Sequence, residues 1–131
     1  MRFPTVHAVT ELHDEIILRF GGLPGTKNKG LLESAVTKAV VTVGGVDAYS
    51  SLYAKTAAIG FSIAQNHVFN DGNKRTALSV MLLTLEINDV FINPSEDAAS
   101  TLMILIATGH LSIEGITAAL LHWAGKNPSG E

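Results

Sequence analysis

An all-α fold, a compact bundle of about six helices with one polar loop between its two central helices, is what this sequence predicts. Apolar residues recur at helical spacing along most of its 131 residues. Glycine pairs and single glycines punctuate those stretches, and no sustained period-two alternation argues for a sheet. With 47% apolar residues, the chain is long enough to bury a core of its own, so one domain over residues 1–131 is expected.

Val9, Leu12, Ile16 and Phe20 set out the apolar face of a first helix that stops at Gly21-Gly22. The segment Gly21 to Gly30 (GGLPGTKNKG) carries four glycines and a proline and reads as a loop, either a plain link or a flap over a site. A second helix is expected from Leu31 to about Val43, ended by Gly44-Gly45, and a third from about Leu52 to Gln65. Asn66 to Gly72 forms a polar turn before a fourth helix, about Asn73 to Ile87. The third and fourth helices are apolar almost all round and should form the buried centre. Ser95 and Ser112 suit N-caps of a fifth helix reaching Thr108 and a sixth ending near Gly125. Only Val40 to Val46 and Val90 to Ile92 are weak strand candidates. Leu120, Leu121 and Trp123 are expected in the core rather than in a groove for a partner helix.

Composition excludes several classes. Without cysteine there is neither a disulfide framework nor a thiolate zinc site. Nine Lys plus Arg against twelve Asp plus Glu gives a formal charge of -3, which argues against direct nucleic-acid binding. Val80 to Leu85 falls far short of the roughly 18 apolar residues of a membrane span, and Met1 to Thr5 does not open a secretory leader, so a soluble, cytoplasmic protein is expected. His7, His13, His110 and His122 lack metal-ligand spacing and read as surface or helix-end residues.

The chemistry concentrates in His67-Val68-Phe69-Asn70-Asp71-Gly72-Asn73-Lys74-Arg75, in a chain only 16% charged. A polar loop leading straight into a helix offers free backbone N–H groups and the positive end of a helix dipole to an anion, and a phosphate suits both. Gly72 permits close backbone approach, Lys74 and Arg75 add positive charge, and Asp71 is placed to hold a magnesium ion between phosphates. The imidazole of His67 is the general-base candidate, since that side chain titrates near neutrality (about 6.5). Phe69 should point inward and pin the loop.

This segment satisfies H-x-F-x-[D/E]-[G/A]-N-[G/K]-R at every fixed position and so resembles the Fic/Doc family. His13-Asp14 and the run Arg19 to Gly25 are similar to the Doc branch, and the resemblance extends over nearly the whole chain. It implies that His67 activates a target hydroxyl, Asp71 places the metal, and Asn73 and the loop amides bind phosphate while Arg75 holds the phosphate tail. Phe69, Asn70, Gly72, Asn73, Lys74 and Arg75 are the implied nucleotide-binding set. Val68 stands where proline usually follows the histidine. Lys74 stands where adenylyl-transferring members usually have glycine, which in the Doc branch goes with reversed nucleotide seating and transfer of the γ-phosphate.

The resemblance therefore implies a toxin of a toxin-antitoxin module, using ATP and Mg2+, with a threonine of elongation factor Tu as target and a Phd-like antitoxin as partner. The alternatives are nucleotidyl transfer to a protein hydroxyl and a catalytically silent domain that binds an antitoxin. No position matches the inhibitory pattern [S/T]-x-x-x-E-[G/N] carried by many Fic proteins, so restraint is expected from outside the chain.

Overall fold

The computed structural model describes residues 1–127 as a helical bundle. Its helices are α1 (Val6–Phe20), α2 (Lys29–Thr37), α3 (Leu52–Gln65), α4 (Asn73–Glu86), α5 (Glu96–Ala107) and α6 (Ile113–Trp123). Ten of the fourteen residues of α3 are buried, because its faces pack on α4, α6, α2 and α5 at once. Ala57, Ile59 and Ile63 of α3 meet Ala77, Val80, Met81 and Leu85 of α4 in a single core that Ile106, Ile116 and Leu120 complete. A methyl group on Gly60 would run into the Met81 side chain, so glycine there lets α3 and α4 approach closely. Leu120 and Leu121 are buried and Trp123 half-buried against this core, as expected. No helix among the described residues is long and apolar enough to cross a membrane.

Five helices start on a side-chain cap: the oxygens of Thr5, Asn28, Ser51, Ser95 and Ser112 each accept a backbone N–H from the first turn. Helix α4 starts instead on Gly72, in the left-handed region at φ 75°, with no side chain over its first N–H groups.

Three expectations need correction. The second helix ends at Thr37, passes through a 3-10 turn at Lys38–Val40, and gives way to an antiparallel hairpin, β1 (Thr42–Val43) with β2 (Val46–Asp47). The β-branched run Val40 to Val43 disfavours helix, and Gly44-Gly45, both at positive φ, form the two-residue turn a hairpin prefers. Val90 to Ile92 forms no strand; Asp89 takes positive φ and the Val90 N–H donates to the Leu85 carbonyl, closing the end of α4. The buried stripe of α1 is Val9, His13 and Ile16, whereas Leu12 is half-buried and Phe20 is 55% exposed.

Candidate active site

The polar loop emerges from the last turn of α3 and closes on the first turn of α4. His67, Asn70, Asp71, Gly72, Asn73, Lys74 and Arg75 all line one cleft of about 950 Å3. Its other walls come from Phe20 of α1 and from a stretch of α5 between Glu96 and Ala107. A volume of that order suits a nucleotide-sized ligand.

His67 sits at φ 48°, a left-handed backbone that a residue with a Cβ adopts at a cost of about 1–2 kcal/mol. It is exposed, and its imidazole makes no hydrogen bond among the described residues. Lys74 and Arg75 are exposed and enter no ion pair among those residues, although the carboxylates of Asp71 and Glu96 line the same cleft. The Arg75 guanidinium lies 4.2 Å over the Phe20 ring, a cation-π contact that holds it at the cleft wall. With α4 uncapped, the N–H groups of its first turn open into the same space.

Asp71 is exposed at the cleft rim. Its Oδ1 accepts the Gly72 N–H at 3.0 Å and its Oδ2 the Leu23 N–H at 3.2 Å, which fixes the carboxylate while leaving lone pairs over. Among the described residues no three His, Asp or Glu side chains gather into a metal cage. A lone carboxylate fits magnesium, which keeps waters and takes substrate phosphate oxygens rather than a full protein cage.

Two residues of the implied nucleotide-binding set turn away from the cleft, Phe69 inward as expected of it and Asn73 back onto the loop. The Phe69 ring is 1% exposed and lies in the core, so it supports the loop from below and offers the cleft no ring surface. The Asn73 side chain is turned back on the loop: its Oδ1 accepts the Phe69 N–H and its Nδ2 donates to the Phe69 carbonyl, both at 2.9 Å. An amide so engaged keeps one Nδ2–H free of these two bonds, and its work in this state is to lock the turn.

The glycine-rich segment after α1 lies along the loop. The N–H groups of Lys27 and Asn28 donate to the Val68 carbonyl, and the Asn70 N–H donates to the Gly25 carbonyl, bracketing an antiparallel bridge between Thr26 and Phe69. The Asn70 side chain adds a bond from Nδ2 to the Pro24 carbonyl. Phe69 sits at a non-hydrogen-bonded position of this ladder, so its own N–H and carbonyl point away from it, to Asn73.

Sequence reasoning missed His13. It is fully buried, its Nε2–H donates to the Asp71 carbonyl at 2.8 Å, and its ring stacks on Phe69 with centroids 3.8 Å apart. The signal was present: position 13 lies four residues after Val9 and three before Ile16, on the apolar stripe itself. Lys55 was missed as well; it is 5% exposed and its Nζ donates to the Ala39 carbonyl and the Asp47 carboxylate, tying the hairpin to α3.

A sequence profile of the Fic/DOC family matches residues 3–85. The chain belongs to the Fic/DOC family, on its Doc side. It is 39% identical over 115 residues to a protein named Toxin Doc from Mycolicibacterium smegmatis, covering 86% of this chain and 88% of that one. It is 34% identical over 126 residues to Protein kinase doc of Escherichia phage P1, covering 96% of this chain and 98% of the phage protein. These Doc similarities take in both the cleft-forming loop and the helices that support it.

Proposed function

We propose that this Doc-like chain is the toxin of a toxin-antitoxin module and acts in the cytoplasm as a phosphotransferase. In this reading it moves the γ-phosphate of ATP to a protein hydroxyl, a threonine of elongation factor Tu, and so stops translation. The observation that carries the reading is the convergence of His67, Asp71, Lys74 and Arg75 on one cleft at the uncapped start of α4. The likeness to Protein kinase doc over almost the full length of both chains supports the kinase reading over nucleotidyl transfer.

The chemistry follows from the residues. His67 takes the proton as the target oxygen bonds to the γ-phosphorus, and the bond from that phosphorus to the β-bridging oxygen breaks to release ADP. Lys74, Arg75 and the N–H groups of the first α4 turn hold phosphate oxygens and offset the charge that develops on them. Asp71 would hold magnesium, which supplies charge neutralisation between phosphates when bound. An antitoxin would provide the restraint that the chain's own sequence lacks.

Intact mass spectrometry of elongation factor Tu after incubation with the chain, ATP and magnesium tests this, with His67→Ala as control. One added phosphate that disappears with His67→Ala is expected. An added nucleotide would assign the chain to nucleotidyl transfer, and an unmodified factor would remove this target.

A further inference from the structure

The buried histidine of α1 has no part in the chemistry above, yet it touches the loop at three points, Phe69, Asp71 and Gly72. Its Nε2 lies 2.8 Å from the Asp71 carbonyl oxygen, and because a carbonyl only accepts, that nitrogen carries the hydrogen. Its ring lies flat on Phe69, at 3.8 Å and 7° between planes. Its Nε2 and Cδ2 are within 3.8 Å of where a Cβ of Gly72 would stand, so the turn that opens α4 rests on the imidazole edge. The remaining nitrogen, Nδ1, faces Asp14 Oδ1 at 3.2 Å. Neighbouring Ile17 extends the same support, its Cδ1 lying 3.2 Å from the Cβ positions of both Gly22 and Gly72.

A polar side chain with no solvent exposure is costly to bury, and here it spans 58 residues of sequence to reach one backbone oxygen. The bonded carbonyl belongs to the residue whose carboxylate sits in the cleft. Fixing the Asp71-Gly72 peptide fixes the direction of that carboxylate and the first turn of α4 together.

We propose that His13 is a positioning residue for phosphoryl transfer, setting the Asp71-Gly72 peptide from beneath so that the Asp71 carboxylate and the α4 N–H groups face the phosphates in register. The proposal rests on the phosphotransferase reading for its kinetic consequence, and on geometry alone for its effect on the loop. Two substitutions separate its contacts. His13→Phe keeps the stack on Phe69 and loses the donor; His13→Gln keeps a donor at the reach of Nε2 and loses the stack. Val9→Ala, on the same buried stripe of α1, is the control for simple destabilisation.

The first readout is amide hydrogen exchange in the ligand-free protein, followed residue by residue by NMR at Phe69, Asn70 and Gly72. Loss of the Asp71 carbonyl's partner should accelerate these amides on the order of tenfold in His13→Phe. Val9→Ala should lower the thermal midpoint without that local effect. The second readout is the magnesium dependence of transfer. In His13→Phe, kcat should fall on the order of 100-fold, the cost of misplacing a reacting group by about an ångström, and half-saturation should need more magnesium. His13→Gln should recover most of both losses.

Should His13→Phe fail to fold, His13→Asn, too short to reach the Asp71 carbonyl, takes its place under the same readouts. Loop exchange and magnesium dependence that match Val9→Ala would overturn the proposal and leave His13 a packing residue. A wild-type chain that transfers no phosphate would count against the phosphotransferase reading, and the exchange data would still decide the role of His13.

Discussion

Replacing Asn73 by alanine tests whether its amide holds the loop or the ligand. Among the described residues the side chain supplies the only partners of both the N–H and the carbonyl of Phe69, each at 2.9 Å. Alanine removes two bonds of about 0.5–1.5 kcal/mol each and leaves two backbone groups to find water in a part-buried turn, for a total of about 2–3 kcal/mol. Because the Phe69 ring belongs to the core, loosening its backbone should be felt by the whole domain rather than by the loop alone. Urea denaturation of the ligand-free protein should show a lower midpoint at unchanged slope. In a thermal melt the same loss corresponds to a fall of about 5–10 °C. Asn73→Asp should recover only part of it, since a carboxylate still accepts the Phe69 N–H but cannot donate to the carbonyl. Ligand-free stability within about 0.5 kcal/mol of wild type, combined with a large loss of ATP affinity, would refute the reasoning and make Asn73 a phosphate ligand.

Two further substitutions probe the supports of the cleft. Gly21 and Gly22 both have positive φ, but a Cβ on Gly21 meets nothing within 4 Å, whereas one on Gly22 stands 2.9 Å from Asp71 Oδ2. Each alanine should cost about 1–3 kcal/mol of backbone strain, while only Gly22→Ala should abolish target phosphorylation at temperatures where both variants are folded, as read by intact mass. Lys55→Met leaves the Ala39 carbonyl without its partner but frees an Asp47 that is already half exposed, so about 1–3 kcal/mol should be lost in urea denaturation, with faster amide exchange in the hairpin.

The sequence was most informative where local chemistry and tertiary demand agree. Ser95 and Ser112 cap the helices assigned to them, and Leu52 to Gln65 is a helix to the residue, because cap oxygens and apolar spacing act within one turn. The motif residues around His67 were legible as a group because they are contiguous. What escaped depends on how the chain folds back on itself, across 58 residues for His13 and within the loop's own turn for Asn73. His13 looks like a surface residue until Asp71 and Phe69 are brought to it, and Asn73 looks like a ligand-binding amide until the Phe69 backbone turns toward it. The hairpin was legible in part: Val40 to Val46 stood out as a weak strand candidate, but the helical pattern from Leu31 runs on to Val43 and hid where the helix ends.

The pairing of Thr26 with Phe69 joins two segments separated by the whole of α2, the hairpin and α3. Neither segment orders the other unless those intervening elements have folded, so competence for chemistry is a property of the finished domain rather than of a nine-residue signature. A genetic selection for chains that have lost their activity should therefore recover substitutions scattered through the interior, at positions such as Ile59, Ala77 or Ile116, alongside those in the signature itself. The map of inactivating changes would trace the core as faithfully as it traces the cleft.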